Sequence, residues 1–142
     1  MTTWLLKTEP DDYSYTDLIR DKRTEWDGVA NPAAQKHMRD IKKGDEAFIY
    51  HTGAERAIAG IAKVVRGAYE DPAHEGVRTA AGDVKFTLFD VAPGKAAKTP
   101  GTLAEIKADP AFKDFDLVRQ SRLSVMPVPP KLDAKLRKMA GL

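Results

Sequence analysis

The stretch from Asp45 to Tyr69 leaves this chain few folds to choose from. From Asp45 the pattern repeats every two residues: Ala47, Ile49 and His51 point one way, and Phe48 and Tyr50 the other, as a strand requires. Arg56 to Tyr69 reads as a second, long strand in which Gly60 and Gly67 are candidate bulge or bend positions. The residues between them, Thr52-Gly53-Ala54-Glu55, fit a hairpin turn. A third strand, Val84 to Val91, follows a polar stretch, and Pro93 with Gly94 is expected to end it. Strands in direct succession favour an antiparallel meander. Alternating βαβ units are missing, which excludes a Rossmann-type fold.

The flanks of this meander read as short elements. Trp4 to Thr8 suits a buried strand stopped by Pro10. Ser14 and Asp17 form a capping signal, and Tyr15, Leu18 and Ile19 recur at helical spacing, giving a helix near 14–21. A loop carries Glu25-Trp26-Asp27-Gly28. Asn31 and Pro32 then open a second helix whose inner face is Ala34, His37, Met38 and Ile41. Thr102 with Glu105 and Asp109-Pro110 open two short helical turns, Leu123 to Val128 is a strand that Pro127 places at an edge, and a helix begins near Pro130. A first strand set apart by helices can close such a sheet into a barrel. The expected architecture is α+β, a small mixed β-barrel with flanking short helices, and 142 residues fit a single domain, 1–142.

Charge narrows the function. Lys plus Arg number 23 against 21 Asp plus Glu, a net of +2, too little for a protein held to phosphates by bulk charge. Nucleic-acid binding therefore has to depend on a shaped site. The absence of cysteine removes thiolate metal sites and cysteine nucleophiles. Neither nucleotide-binding glycine motifs nor hydrolase signatures occur, and His37, His51 and His74 are scattered, so neither a metal nor another cofactor is expected. No apolar run approaches the ~20 residues of a bilayer span, and Met-Thr-Thr-Trp-Leu-Leu-Lys is unlike a signal peptide. The expectation is a cytoplasmic protein without membrane association, nucleoid association being compatible with it.

Polar groups gather where strands end. Lys7, Thr8 and Glu9 close the first strand, Tyr50, His51 and Thr52 close another, and Arg119, Ser121, Arg122 and Ser124 stand at the start of the last. If these ends converge they form one polar pocket. Trp4, inside a strand, reads as core. Trp26, between charged residues and beside Gly28, reads either as a stacking wall for a planar ligand or as a cover packed on the barrel.

The blocks WLLKTEPDDYSYTDL, EWDGVANPAAQKHMRDIKKGDEAFIYHT, AIAGIAKVVRGAYEDP and TLAEIKADPAFKDFDLVRQSRLSVMPV closely resemble the EVE domain, in order and from Trp4 to about Val128. The resemblance implies a PUA-like fold related to the YTH and ASCH domains. It also implies a non-catalytic reader of modified nucleobases, chiefly modified cytosine such as 5-methylcytosine in DNA, with modified RNA bases as a further class. By analogy with the YTH domain, Trp26 is a cage wall, Lys7, Thr8, Glu9 and Asn31 belong to the pocket, and Tyr50, His51 and Thr52 form its far side. Ser121 and Ser124 add base-edge contacts, and Arg119, Arg122 and Lys36 are rim contacts to phosphate.

The chain departs from the family pattern at three places. Ala30 stands where relatives often have Arg, Thr8 and Thr52 where Ser is common, and Gln35-Lys36 where Arg-Asn is often seen. A cation is lost near the pocket, and each Thr keeps the hydroxyl but adds a methyl. The implied partner is nucleic acid bearing modified bases, bound by a monomer. Two rivals are an ASCH-like hydrolase of modified nucleosides, drawing on Lys7, Glu9 and His51, and an adaptor that binds protein through the basic C-terminal helix.

Overall fold

A computed structural model describes residues 1–142. Six strands form one sheet in the order β2-β5-β4-β3-β1-β6. The meander expected from the sequence is present: β3 (Glu46–His51), β4 (Ala57–Glu70) and β5 (Thr87–Thr102) pair antiparallel in succession. β1 (Thr3–Thr8) runs parallel to β3, with Leu5 opposite Phe48, and its other edge takes β6 (Val125–Val128) antiparallel. This inner position explains the unbroken apolar run: Trp4, Leu5 and Leu6 are buried although their side chains alternate between faces.

Three expectations need correction. First, the sheet does not close into a barrel. Its hydrogen-bonded order ends at β2 and β6, and the first strand lies inside the sheet instead of sealing it. Second, β5 runs through Pro93 and Gly94 to Thr102. Pro93 sits opposite Ala62 beside a register shift, where a missing donor costs little, and a Cβ on Gly94 would stand 2.8 Å from the Ile61 carbonyl oxygen. These residues let β5 lie close over β4 instead of ending it. Third, Trp26 belongs to an edge strand, β2 (Thr24–Trp26), with Trp26 opposite Phe89. Three residues are too short to show a period, and the strand is defined by its partner β5.

Local capping accounts for the helices. Ser14 and Asp17 bond reciprocally at the start of α1 (Tyr15–Asp21), and the Asn31 side chain accepts from Ala33 N and Ala34 N at the start of α2 (Pro32–Met38). Thr102 caps α3 (Leu103–Ala108), and a one-turn 3-10 helix at Pro110–Phe112 follows. The sequence reading missed α4 (Asp116–Arg119), so Arg119 ends a helix and Gln120 to Ser124 form the approach to β6. Finally α5 (Pro130–Met139) is fastened to the sheet by Thr3 Oγ1 donating to Asp133 at 2.7 Å and by Arg137 paired with Asp133 and Glu46.

One hydrophobic cluster of 29 buried residues holds these elements together, with Leu5, Leu6, Phe48 and Phe89 fully enclosed. Burying each such side chain contributes about 1.5–3 kcal/mol. Gly60 is more than a bend: an added Cβ would lie 2.5 Å from the Tyr15 ring, whose hydroxyl donates to Ile61 O at 2.8 Å. Asp45, also buried, accepts from Thr2 N, Trp4 Nε1 and Lys42 N, and so secures the start of β1 against the α2–β3 connection.

Candidate functional site

The end of β1, the end of β2 and the loop that leads to α2 enclose a cleft of about 580 Å³, within the range typical of small-ligand sites. Lys7, Thr8 and Glu9 enter it from β1, Trp26 from β2, Asn31 from the cap of α2, and Ser124 from the approach to β6. The loop between them is held by a buried amide. Gln35 Nε2 donates to Val29 O at 2.7 Å, while its Oε1 accepts from both Thr87 N and Thr87 Oγ1 at 2.9 Å. Gly28 supplies the left-handed backbone (φ +73°) with which the chain leaves Trp26.

Trp26 packs as a cover on the sheet and also borders the cleft. It is only 8% exposed, its ring stacked on Phe89 at 26° and met edge-on by Tyr13, yet it lines the cleft. A wall braced on two sides presents a rigid apolar edge at little entropic cost.

The polar lining is mostly acceptor. Glu9, Asp12, Glu25 and Asp27 line the cleft against a single cation, Lys7. Lys7 donates to Ser121 O at 3.1 Å, and burial lowers its pKa from the ordinary lysine value. Thr8 spends its hydroxyl proton on Tyr13 O at 2.7 Å, so towards a ligand it offers an acceptor. Asn31 uses its carbonyl as the helix cap, leaving its amide N–H groups free. Such a lining suits a flat molecule with an exocyclic amino group and ring acceptors, because carboxylates take the N–H donors and Lys7 the acceptors. It repels phosphate. The Asp12, Glu25 and Asp27 contributions were not read from the sequence, although the acids flanking Trp26 were in view.

The other sequence candidates lie outside the cleft. Tyr50 and Thr52 line a separate hollow, and Ser121 borders that hollow and a shallow one containing Arg119 and Arg122. His51 lines none of them. Its Nε2 accepts from Tyr15 N at 3.0 Å and its Nδ1 lies 2.7 Å from Glu55 Oε2, so both ring nitrogens join α1 to β3. In the parallel pairing of β1 with β3, Lys7 and Tyr50 stand side by side in register and share the separate hollow, and of the two only Lys7 also lines the cleft. Arg119 and Arg122 are exposed beside the mouth, their hollow sharing Asn31 with the cleft; Lys36 is exposed on α2 away from all three hollows.

A mixed sheet with short flanking helices and one aromatic-walled cleft at its strand ends defines a PUA-like α+β protein. The family model for the EVE domain matches residues 2–139, and the chain belongs to that family. It is 32% identical to thymocyte nuclear protein 1 of Danio rerio over 152 aligned positions, which take in 88% of this chain and 66% of that protein, just under two thirds of its length. An NMR structure of a Rhodopseudomonas palustris protein is 38% identical with a TM-score of 0.87, covering 99% of this chain and 94% of that one. The human THYN1 protein, in a crystal structure with DNA containing 5-methylcytosine, is 28% identical with a TM-score of 0.82, covering 98% of each chain. An ASCH protein of Zymomonas mobilis shares the fold at 12% identity and a TM-score of 0.54.

Proposed function

We propose that this protein reads modified bases in nucleic acid, holding one extruded base, a modified cytosine foremost, in the Trp26 cleft without transforming it. The observation that carries the reading is the cleft itself: a braced indole, four carboxylates and one half-buried lysine in a volume suited to a base. The human relative's complex with 5-methylcytosine DNA supports the same ligand class.

The energetics follow from that lining. Extruding a base costs a few kcal/mol in lost stacking and pairing. Contact with an aromatic wall returns ~1–3 kcal/mol. Hydrogen bonds from Lys7 and Asn31 to ring acceptors, and from the exocyclic amine to carboxylates, add ~1 kcal/mol each. One methyl group in an apolar slot is worth about 1–3 kcal/mol, so preference for modified over plain cytosine is expected at roughly tenfold to a few hundredfold. Arg119 and Arg122 serve as rim cations for the backbone.

Replacing Trp26 with Ala tests this directly. Binding curves for oligonucleotides that differ only in cytosine modification should lose their separation, with affinity for the modified strand falling about tenfold or more. Curves that stay apart in a folded variant would remove Trp26 from the reading. The hydrolase alternative is less well served, because His51 is tied to Tyr15 and Glu55 and leaves Lys7 and Glu9 without a third partner in the cleft. Release of an acyl or alkyl group from modified cytidines, followed by mass spectrometry, would revive it.

A further inference from the structure

Lys7 borders a second hollow, of about 340 Å³, whose chemistry is the reverse of the cleft's. Lys7, Arg56 and Lys107 line it, together with Tyr50 and Ser121, and no carboxylate does. Neither Arg56 nor Lys107 is paired with an acid anywhere in the chain; Arg56 makes one side-chain bond, from Nε to Gly53 O at 3.2 Å. Three cations facing one concavity repel each other unless an anion joins them.

Tyr50 gives independent evidence. Its ring is packed in the core, it lines this hollow, and its hydroxyl makes no hydrogen bond within the chain; since no sealed-off side-chain polar atom lacks a partner, that hydroxyl is the part of Tyr50 left open to the hollow. An open phenol hydroxyl beside two unpaired cations is a donor available to an anion. Burial raises the pKa of this hydroxyl, and the charge of Arg56 draws it partly back, so it is a neutral donor at physiological pH. Arg56 itself adopts φ +47°, a left-handed backbone that residues with a Cβ rarely take and that the tight turn from Gly53 imposes. The backbone thereby accepts strain at the residue that brings its guanidinium to the hollow.

We infer that this hollow is a phosphate subsite, which takes a backbone phosphate next to the base held in the Trp26 cleft. The inference rests on the base-reading proposal for its choice of ligand. Lys7, common to both hollows, spans the junction: Thr8 and Glu9 line the cleft beside it, and its ammonium, directed to Ser121 O, stands where it can serve a ring acceptor on one side and the cationic recess on the other. The division of labour suits a nucleotide. An acid-rich cleft can hold a base edge but not its phosphate, and the cation-rich recess has the opposite preference. A protein of net charge +2 thus grips nucleic acid at one locally charged point instead of along a basic face.

Calorimetric titration of the full chain with 5-methyl-2′-deoxycytidine, its 3′- and 5′-monophosphates and inorganic phosphate separates the two readings. In the native protein one of the monophosphates should bind about tenfold or more tightly than the nucleoside, the scale of charge-assisted hydrogen bonds. Lys107→Gln and Tyr50→Phe should each reduce that gain severalfold and leave nucleoside affinity unchanged. Inorganic phosphate at millimolar concentration should shift the amide resonances of Tyr50, Arg56 and Lys107. No gain from either phosphate, or a gain that survives both substitutions, overturns the subsite while nucleoside binding upholds the cleft. A nucleoside that fails to bind, with inorganic phosphate still shifting those resonances, overturns the backbone source and the base reading together.

Discussion

Gln35 ties the site loop to β5, and Gln35→Met is the perturbation that tests this. Methionine keeps the length of the side chain and removes every polar atom. Four hydrogen bonds disappear: those to Val29 O and Thr87 O, and those from Thr87 N and Thr87 Oγ1. Gln35 is 2% and Thr87 5% exposed, so water does not readily replace them. A stranded buried donor costs about 1–3 kcal/mol. The Thr87 N–H bears that in full, the Val29 carbonyl, half-buried, bears less, and the Thr87 hydroxyl can rotate. The loss should total about 2–5 kcal/mol, a large part of the ~5–15 kcal/mol typical of a domain. Urea unfolding, followed by the fluorescence of the two buried tryptophans Trp4 and Trp26, measures it, with an unchanged m-value confirming that the transition is the same one. Thr87→Val supplies the control: it deletes one of the shared bonds in advance, so the double variant should be less damaged than the sum of the singles by ~1 kcal/mol. A loss below ~1 kcal/mol for Gln35→Met, or additivity within ~0.3 kcal/mol, would refute the account of Gln35 as the clasp between the site loop and β5.

Three other outcomes are expected. Burial alone would raise the Asp45 carboxyl, but hydrogen bonds from Trp4, Thr2 and Lys42 outweigh it and hold its pKa below the ordinary aspartate value. The unfolded chain therefore binds the proton more readily, so this stability is present above the unfolded pKa and is lost as pH falls through the folded one. Asp45→Asn should cost ~1–3 kcal/mol near neutrality and progressively less towards pH ~2; a cost that does not vary with pH would contradict this. Gly60→Ala forces a Cβ to within 2.5 Å of the enclosed Tyr15 ring, and thermal unfolding should show a loss of ~2–4 kcal/mol; a change within the ~0.5 kcal/mol of an ordinary surface substitution would mean that the ring has room to move. Arg122→Ala should lower the slope of log affinity against log salt by about 0.7–0.9. Arg119→Ala, whose guanidinium is 3.5 Å from Asp114, should do so somewhat less, and wild-type slopes in both would leave these arginines as surface charges.

What the sequence disclosed was local chemistry. Ser14, Asn31 and Thr102 cap helices with groups a few residues away, and all three were readable. So was the meander, because β3 and β4 are long enough to display their period. The failures share a cause, which is dependence on a distant partner. β2 exists only because Glu25 and Trp26 meet Asp90 and Phe89. Pro93 and Gly94 look like terminators until β4 is seen beneath them. The strand-end rule foresaw polar ends but not where they point: Lys7 and Thr8 line the cleft, Tyr50 shares only a second hollow with Lys7, and His51 enters a joint with α1. Gln35 was noticed as a family substitution, yet its role needed Thr87, which stands 52 residues away.

The inner place of β1 also sets a timetable. Of the six strands in this sheet β1 is made before the others and β6 after them, yet the two are paired, so one edge of β1 has no partner until synthesis passes Val128. Ser124, which completes the cleft, lies on that final approach. A chain that ends before Ser124 already holds Trp26 but lacks that residue of the cleft lining. The cleft is therefore assembled late, from segments on either side of the meander that meet only when β6 has docked on β1.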